Sequence, residues 1–492
     1  MKKIAMMFLA FMASSCSDSF LELYPKDGLS EGNFYNTQES IILLANGCYL
    51  PMRDYEKSQH WVLAELISDN GSHQNNVVTG EATRGVIDQF ILVSDNVAYL
   101  QFWQLSYSGI TRCNKLLAEF DREEIVWENK AIKHRSAGEA LFLRALYYFN
   151  LVRQFGGVPL VTTPLPSQEA VGIKRSTEAQ IYDQIIADLK AADLQFQQAA
   201  SVKENGRANQ WAAKGLLGKV YLTLRDYPKA EEQLLAVINS GAHQLLGNYA
   251  DIFNPAKKDY TETLFSIQYS ESSAETSNRF IFWFAPHTSG GQVTNRPNIN
   301  IIGAGWNQPT ADLIEAFEPG DKRKPVSIGF WEGRDWDNQV RPIAYVNKYK
   351  PPISDPNDRS SDNLPVLRYS DILLMYAEVL NQQGKVTEAI PFVQEVRNRA
   401  GLTAELTGLS QAELEKLIAK ERQVEFCFEN QRWYDLKRTG KAVEVMTRHG
   451  QRELLLKPYS YEGAYVITPN KLLAPIPVNE VSVNKLTQNP GY

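Results

Sequence analysis

The sequence predicts a mostly α-helical protein. About four tetratricopeptide-like helical pairs would form a superhelical scaffold, interrupted by a large irregular insert with short strands. Three observations carry this. Apolar residues recur at helical spacing over long stretches before residue 240 and again over 366–402. The segments "LRDYPKAEEQLL" and "NQQGKVTEAIPFV" align as helix-turn-helix units with alanine at the same offset, and about 34 residues per pair is the tetratricopeptide period. Between them, over about 242–364, the chain turns rich in glycine, proline, asparagine and aromatic residues.

At the N-terminus, Lys2 and Lys3 precede ten apolar residues, Ile4 to Ala13, followed by Ser14, Ser15 and Cys16. A positive start, a short apolar run and small residues describe a secretory signal, residues 1–15. Ten helical residues reach only about 15 Å, half the hydrocarbon core of a bilayer, so the run is no membrane span. "MASSC" resembles a bacterial lipobox, with Met12 where leucine is usual. The mature chain is therefore expected to begin at an acylated Cys16. Several acyl chains anchor a protein stably, where one holds it only marginally. The rest, 16–492, reads as one domain: helical regions at about 41–240 and 366–440, the insert, and an irregular segment 441–492.

Composition excludes some classes. The chain has 492 residues, 43% hydrophobic and 22% charged, which suits a globular protein with a large core. A net charge of −6 without basic blocks argues against nucleic-acid binding. No later run approaches eighteen apolar residues, so a second anchor is not expected. With Cys16 lipidated, Cys48, Cys113 and Cys427 form no disulfide framework. They read as small buried apolar side chains.

Along the chain, "FWQLSYSGITRCNKLLAEF" places Trp103, Tyr107, Ile110 and Asn114 on one side of a helix. In "SAGEALFLRALYYFNLVRQFGG", Leu141, Ala145, Tyr148, Val152 and Phe155 make one face, stopped by Gly156 and Gly157. Ile181, Ile185 and Leu189 mark its partner helix. Ala213, Leu216, Leu217, Val220 and Leu224 form a stripe that breaks at Asp226-Tyr227, and Pro228 suits the first turn of the next helix. Gly241 closes that pair. Ile372, Met375, Tyr376 and Val379, a turn at Gly384, then Ala389, Phe392, Val393 and Val396 repeat the plan. Pro391 would cost a backbone bond there, which sets the second helix's start later. In the insert, Phe265, Ile267 and Tyr269 alternate with polar residues as a short strand, and "PTADLIEAFEPGD" is one short helix. The rest of the insert reads as loop, and loops that long are usually functional.

Catalytic signatures are missing. The six histidines are scattered, with no HExxH, so zinc binding has no support and no cofactor is expected. "GLLGKVY" lacks phosphate-loop spacing and sits in a helix, where it reads as helix packing. There is no GxSxG, and nothing singles out a carboxylate pair.

The stretches "CSDSFLELYPKD", "FWQLSYSGITRCNKLL", "EALFLRALYYFNLVRQFGGVPLV", "GAGWNQPTADLIEAFEPGDKRK", "LRYSDILLMYAEVLNQ", "VRNRAGL", "IAKERQVEFCFENQRWYDLKRTG" and "LLAPIPVNEV" follow one another over nearly the whole chain. As an ordered set they resemble the SusD/RagB family of surface lipoproteins. The resemblance implies a SusD-like fold and no enzymatic activity. It implies capture of oligosaccharide or polysaccharide at the outer membrane's outer face, for import through a SusC-like TonB-dependent transporter. Some relatives capture peptides instead. A tetratricopeptide scaffold binding only proteins, and a surface hydrolase, are the readings from other classes.

Sugars offer apolar C–H faces to aromatic rings and hydroxyls to amides, carboxylates and guanidinium groups. Four of nine tryptophans, Trp283, Trp306, Trp331 and Trp336, fall in the insert. Trp283, Trp331 and Trp336 are the candidate ligand contacts, and Trp306 reads as fold support. Trp61, Trp103, Trp127, Trp211 and Trp433 lie in helical patterns and read as structural. The polar stretch 68–85 supplies ligand contacts in relatives, so Asp69, Asn70 and Arg84 are carried over, with Asn96 and Tyr99 as weaker candidates.

Overall fold

The computed structural model describes residues 35–75, 81–202, 205–258, 260–295, 303–350 and 359–492. Cys16 and the signal segment lie outside the described residues. Twelve helices carry the argument: α1 (Gln38–Tyr55), α2 (Val97–Glu119), α3 (Lys130–Phe155), α4 (Glu178–Gln198), α5 (Gln210–Thr223), α6 (Tyr227–Asn239), α7 (Ala311–Ala316), α8 (Tyr369–Gln382), α9 (Val386–Arg399), α10 (Gln411–Glu425), α11 (Arg432–Arg438) and α12 (Ala442–Leu456). Strands are short: β1 (Gly71–Ser72), β2 (Thr263–Ile267), β3 (Gln308–Pro309), β4 (Ile328–Arg334), β5 (Val340–Val346) and β6 (Leu364–Arg368). They pair antiparallel as β1–β3, β2–β6 and β4–β5.

Helix starts follow local chemistry. Thr37, Asn96, Asn129, Thr177, Asn209, Asp226 and Ser410 each accept a first-turn backbone N–H at an N-terminus. Each such cap contributes about 1 kcal/mol. Pro228 sits in the first turn of α6, and Gly384 makes the α8–α9 turn at φ +78°. Among the described residues α3 packs on α4, α5 on α6 and α8 on α9, as expected, and α1 packs on α2, a partner the spacing did not name. Helices α6 and α8 then join the third pair to the fourth across the insert. Gly218 lets α6 approach α5, because a Cβ there would lie 2.7 Å from Leu234. "GLLGKVY" is thus a helix-packing element.

One hydrophobic core runs through these pairs and under the insert, and Cys48, Cys113 and Cys427 are free thiols inside it. Helix α3 is buried on almost every side from Arg135 onward, because α1, α2 and α4 all lie against it. The single apolar face read from its sequence was too narrow. A buried ion network braces the α8–α10 end. Arg368 pairs with Glu262 (2.7 Å), Glu425 (2.9 Å) and Glu429 (2.8 Å). Arg323 pairs with Asp321 (2.7 Å), Glu421 (2.6 Å) and Glu425 (3.0 Å).

Four expectations are corrected. Helix α9 starts at Val386 and runs through Pro391. The lost bond falls near the N-terminus, and Ala389, Val393 and Val396 still bury their face. Segment 441–492 contains α12, fifteen residues long. The insert contains the β4–β5 hairpin, in continuous register from Ile328↔Val346 to Arg334↔Val340. Trp127 lies in the α2–α3 connection rather than in a helix.

Candidate functional site

Three segments meet at one end of the insert. The first is the chain after α1, which contributes the buried Trp61, Gln74 and, from the helical turn Glu81–Gly85, Arg84. The second is the helical turn Phe280–Phe284 with its neighbour 303–306. The third is the β4–β5 hairpin.

Backbone pairing brings the second segment together: Ala304 N–H donates to Phe282 O (3.0 Å), and Trp306 N–H to Trp283 O (2.9 Å). Gln74 is the clamp. Its N–H donates to Gly305 O (2.8 Å), its Oε1 accepts from His287 N–H (2.7 Å), and its Nε2 donates to Asp335 Oδ1 (2.8 Å) at the hairpin tip. Gly305 has φ +65°, and a Cβ there would lie 2.4 Å from Gln74 Oε1, so glycine is required on both counts.

The result is a wall of rings. Trp61 and Trp283 stack at 6.4 Å and 28°, and Trp283 meets Trp306 at 5.7 Å and 30°. Phe284 stands edge-on to Trp61 at 5.0 Å. The Arg84 guanidinium lies 3.8 Å above the Trp306 ring and 5.7 Å from Trp61. Its Nε has no hydrogen-bond partner, and burial pulls its pKa down to about 10, so it remains a cation at neutral pH.

On the hairpin, Trp331 donates Nε1–H to Gln292 Oε1 (2.7 Å). Its ring lies against Gly333, where a Cβ would fall 2.0 Å from the ring. At the tip, Asp335 accepts from Arg341 Nε (2.9 Å) and Trp336 N–H (2.8 Å). Trp336 is 37% exposed and meets Tyr459 edge-on at 4.8 Å.

The family described as "SusD family" matches residues 333–492, and that described as "Starch-binding associating with outer membrane" matches 19–222. The chain belongs to the SusD/RagB family. A SusD-like protein of Formosa agariphila is 26% identical, with 99% of each chain aligned. The starch-binding protein SusD of Bacteroides thetaiotaomicron is 25% identical, over 78% of this chain and 76% of that one. Among solved structures, a laminarin-binding SusD-like protein superposes with TM-score 0.77 at 26% identity, covering 93% of this chain and all of that one. A SusD homologue from Bacteroides thetaiotaomicron gives TM-score 0.79 at 23% identity over 95% of this chain and 100% of that one, which bears on fold alone.

In this SusD-family chain the carried-over residues part company. Arg84 stands on the ring wall. Asp69 and Asn70 do not: they are 3% and 1% exposed. Asp69 holds Arg432 through both oxygens (2.7 and 2.8 Å), and this cation keeps its carboxyl low against the upward push of burial. Asn70 donates to Glu65 Oε1 (2.9 Å) and accepts from Gln423 (3.0 Å). Asp69 is spent on α11 and Asn70 on α10 and Glu65, so they fix the loop rather than face a ligand. Asn96 is spent as the N-cap of α2, and Tyr99 is fully buried. Trp283, Trp331 and Trp336 are all partly exposed, Trp283 within the wall and the other two on the hairpin. Trp306 and Trp61 belong to the wall as well, and only their three-dimensional neighbours reveal it. A glutamine such as Gln74, holding three segments, carries no signal in sequence.

Proposed function

We propose that this chain is a lipid-anchored glycan-binding protein of the outer cell surface. It catalyses nothing itself. It captures oligosaccharides and passes them to a partner SusC-like TonB-dependent transporter for import. The mature chain 16–492 works as one domain, tethered through Cys16.

The observation that carries this reading is the Trp61–Trp283–Trp306 wall with the Arg84 guanidinium laid across it. The half-buried rings of Trp283 and Trp306, backed by the buried Trp61, offer an apolar surface to the C–H face of a sugar, and the Arg84 N–H groups beside them take hydroxyls. Trp331 and Trp336, on a hairpin pinned by Gln74 and Arg341, extend the ring surface away from the wall. The clamped loops cost little ordering entropy on binding. The matched family's description as starch-binding and outer-membrane-associating, and the laminarin-binding relative, point the same way.

Calorimetric titration of the lipid-free chain, starting after Cys16, with oligosaccharides and with peptides tests the reading. Heat from an oligosaccharide class supports it. Heat from peptides alone overturns it in favour of peptide capture. For the anchor, Cys16→Ser is expected to abolish acyl labelling and release the protein from the membrane fraction, and labelling that persists rules out Cys16.

A further inference from the structure

Arg84 differs from its neighbours in having no counter-charge among the described residues. The acids around the site are engaged elsewhere: Asp335 by Arg341 and Gln74, Asp69 by Arg432, and Asp88 by Lys457. Arg84 makes no ion pair with any described residue, and its Nε is buried without a partner. Stacking on Trp306 holds the plane of the guanidinium but uses only its face. The N–H groups in that plane are left to be filled. A partly desolvated cation without an anion is unfavourable, and chains retain one where a ligand supplies the missing charge. The planar fork of arginine matches a carboxylate or sulfate through two parallel hydrogen bonds, whereas a neutral hydroxyl fills one position at a time.

We infer that the glycan this site takes is anionic: a uronate carboxylate or a sulfate ester docks edge-on against Arg84 while a neighbouring sugar ring lies on the tryptophans. This rests on the glycan-capture reading and narrows its substrate class. Trp306 is then a positioning residue, since it aims the fork.

Two matched pairs of hexasaccharides test it by calorimetry on the lipid-free chain: oligogalacturonate with its carboxyl-reduced form, and a sulfated galactan fragment with its desulfated form. One acidic member is expected to bind about tenfold or more tightly than its neutral counterpart at low salt, with the gap closing as salt rises. The responding pair distinguishes carboxylate from sulfate. Arg84→Gln is expected to bring the acidic member down to the neutral one's affinity, with an unchanged thermal midpoint showing that the fold is intact. Arg84→Lys, which keeps the charge but loses the fork, is expected to fall between. Equal or tighter binding of the neutral members overturns the anionic inference and leaves glycan capture standing, as does a gap that survives Arg84→Gln. If none of the four binds, the anionic inference falls, and glycan capture is decided by the wider oligosaccharide and peptide titration.

Discussion

Arg368, at the foot of α8, is 1% exposed and has carboxylates of Glu262, Glu425 and Glu429 within 2.9 Å. Arg84, half-buried among tryptophans, meets no acid among the described residues and spends its face on Trp306. The same side chain serves two ends. Every Arg368 donor group is satisfied inside the protein, and the three glutamates hold its guanidinium firmly protonated. At the ring wall the donors are left over. The contrast separates a brace from a binding group without reference to any relative: a charge that the fold neutralises is structural, and one that it leaves open awaits something from outside.

The sharpest way to break this comparison is to remove each arginine in turn. Arg368→Met leaves three buried carboxylates facing one another, and urea denaturation is expected to show a loss of about 3–5 kcal/mol. Arg84→Met is expected to stay within about 0.5 kcal/mol of wild type. Similar losses from the two would erase the distinction.

Glu65 offers the acidic counterpart. It accepts from Phe428 N–H (2.7 Å) and Asn70, its second oxygen is unpaired, and burial pushes its pKa up to about 7. The unfolded chain releases this proton first, near its ordinary value of 4.5. The group's contribution is therefore full below pH about 4.5 and is lost as pH rises through about 7, on the order of 3 kcal/mol in all. Glu65→Gln is expected to match wild type at low pH and to exceed it at pH 8. Thermal midpoints across that window that run parallel for the two proteins would show that Glu65 carries no such penalty.

Two smaller effects sharpen the ligand side. Trp331→Ala is expected to weaken glycan binding by about 1–2 kcal/mol, since its ring is fixed by Gln292 and packs against Gly333 of β4. Trp336→Ala is expected to cost under about 1 kcal/mol, because at the exposed hairpin tip its ring meets Tyr459 edge-on. Unchanged affinity in both variants would confine the site to the ring wall.

Helices with an apolar stripe were legible from spacing alone: α4 and α8 bury the residues that their periodicity picks out, and α5 and α9 bury all but Leu224, which falls just past α5 and is exposed, and Phe392, which is half-buried. Helix α12 was not. Its buried face is Met446, His449, Gly450 and Glu453, polar at two positions because His449 meets Asp312 (2.6 Å) and Glu453 meets Lys457 (2.9 Å). The hairpin was hidden for a related reason. Its half-buried face, Gly329, Trp331 and Gly333, alternates rings with glycines that the rings cover, which reads as loop composition.

The amino-acid order by itself determined the helical pairs, their turns and caps, the family, and the clustering of tryptophans in the insert, because each depends on residues close in sequence. Which polar residues face outward was decided only by tertiary structure. Asp69, Asn70 and Arg84 look alike as members of one polar loop. Arg432, brought in from 363 positions away, claims Asp69, and Gln423 claims Asn70, while among the described residues only tryptophan rings reach Arg84. Burial and charge pairing are properties of neighbours in space, and those neighbours exist only once the chain has folded.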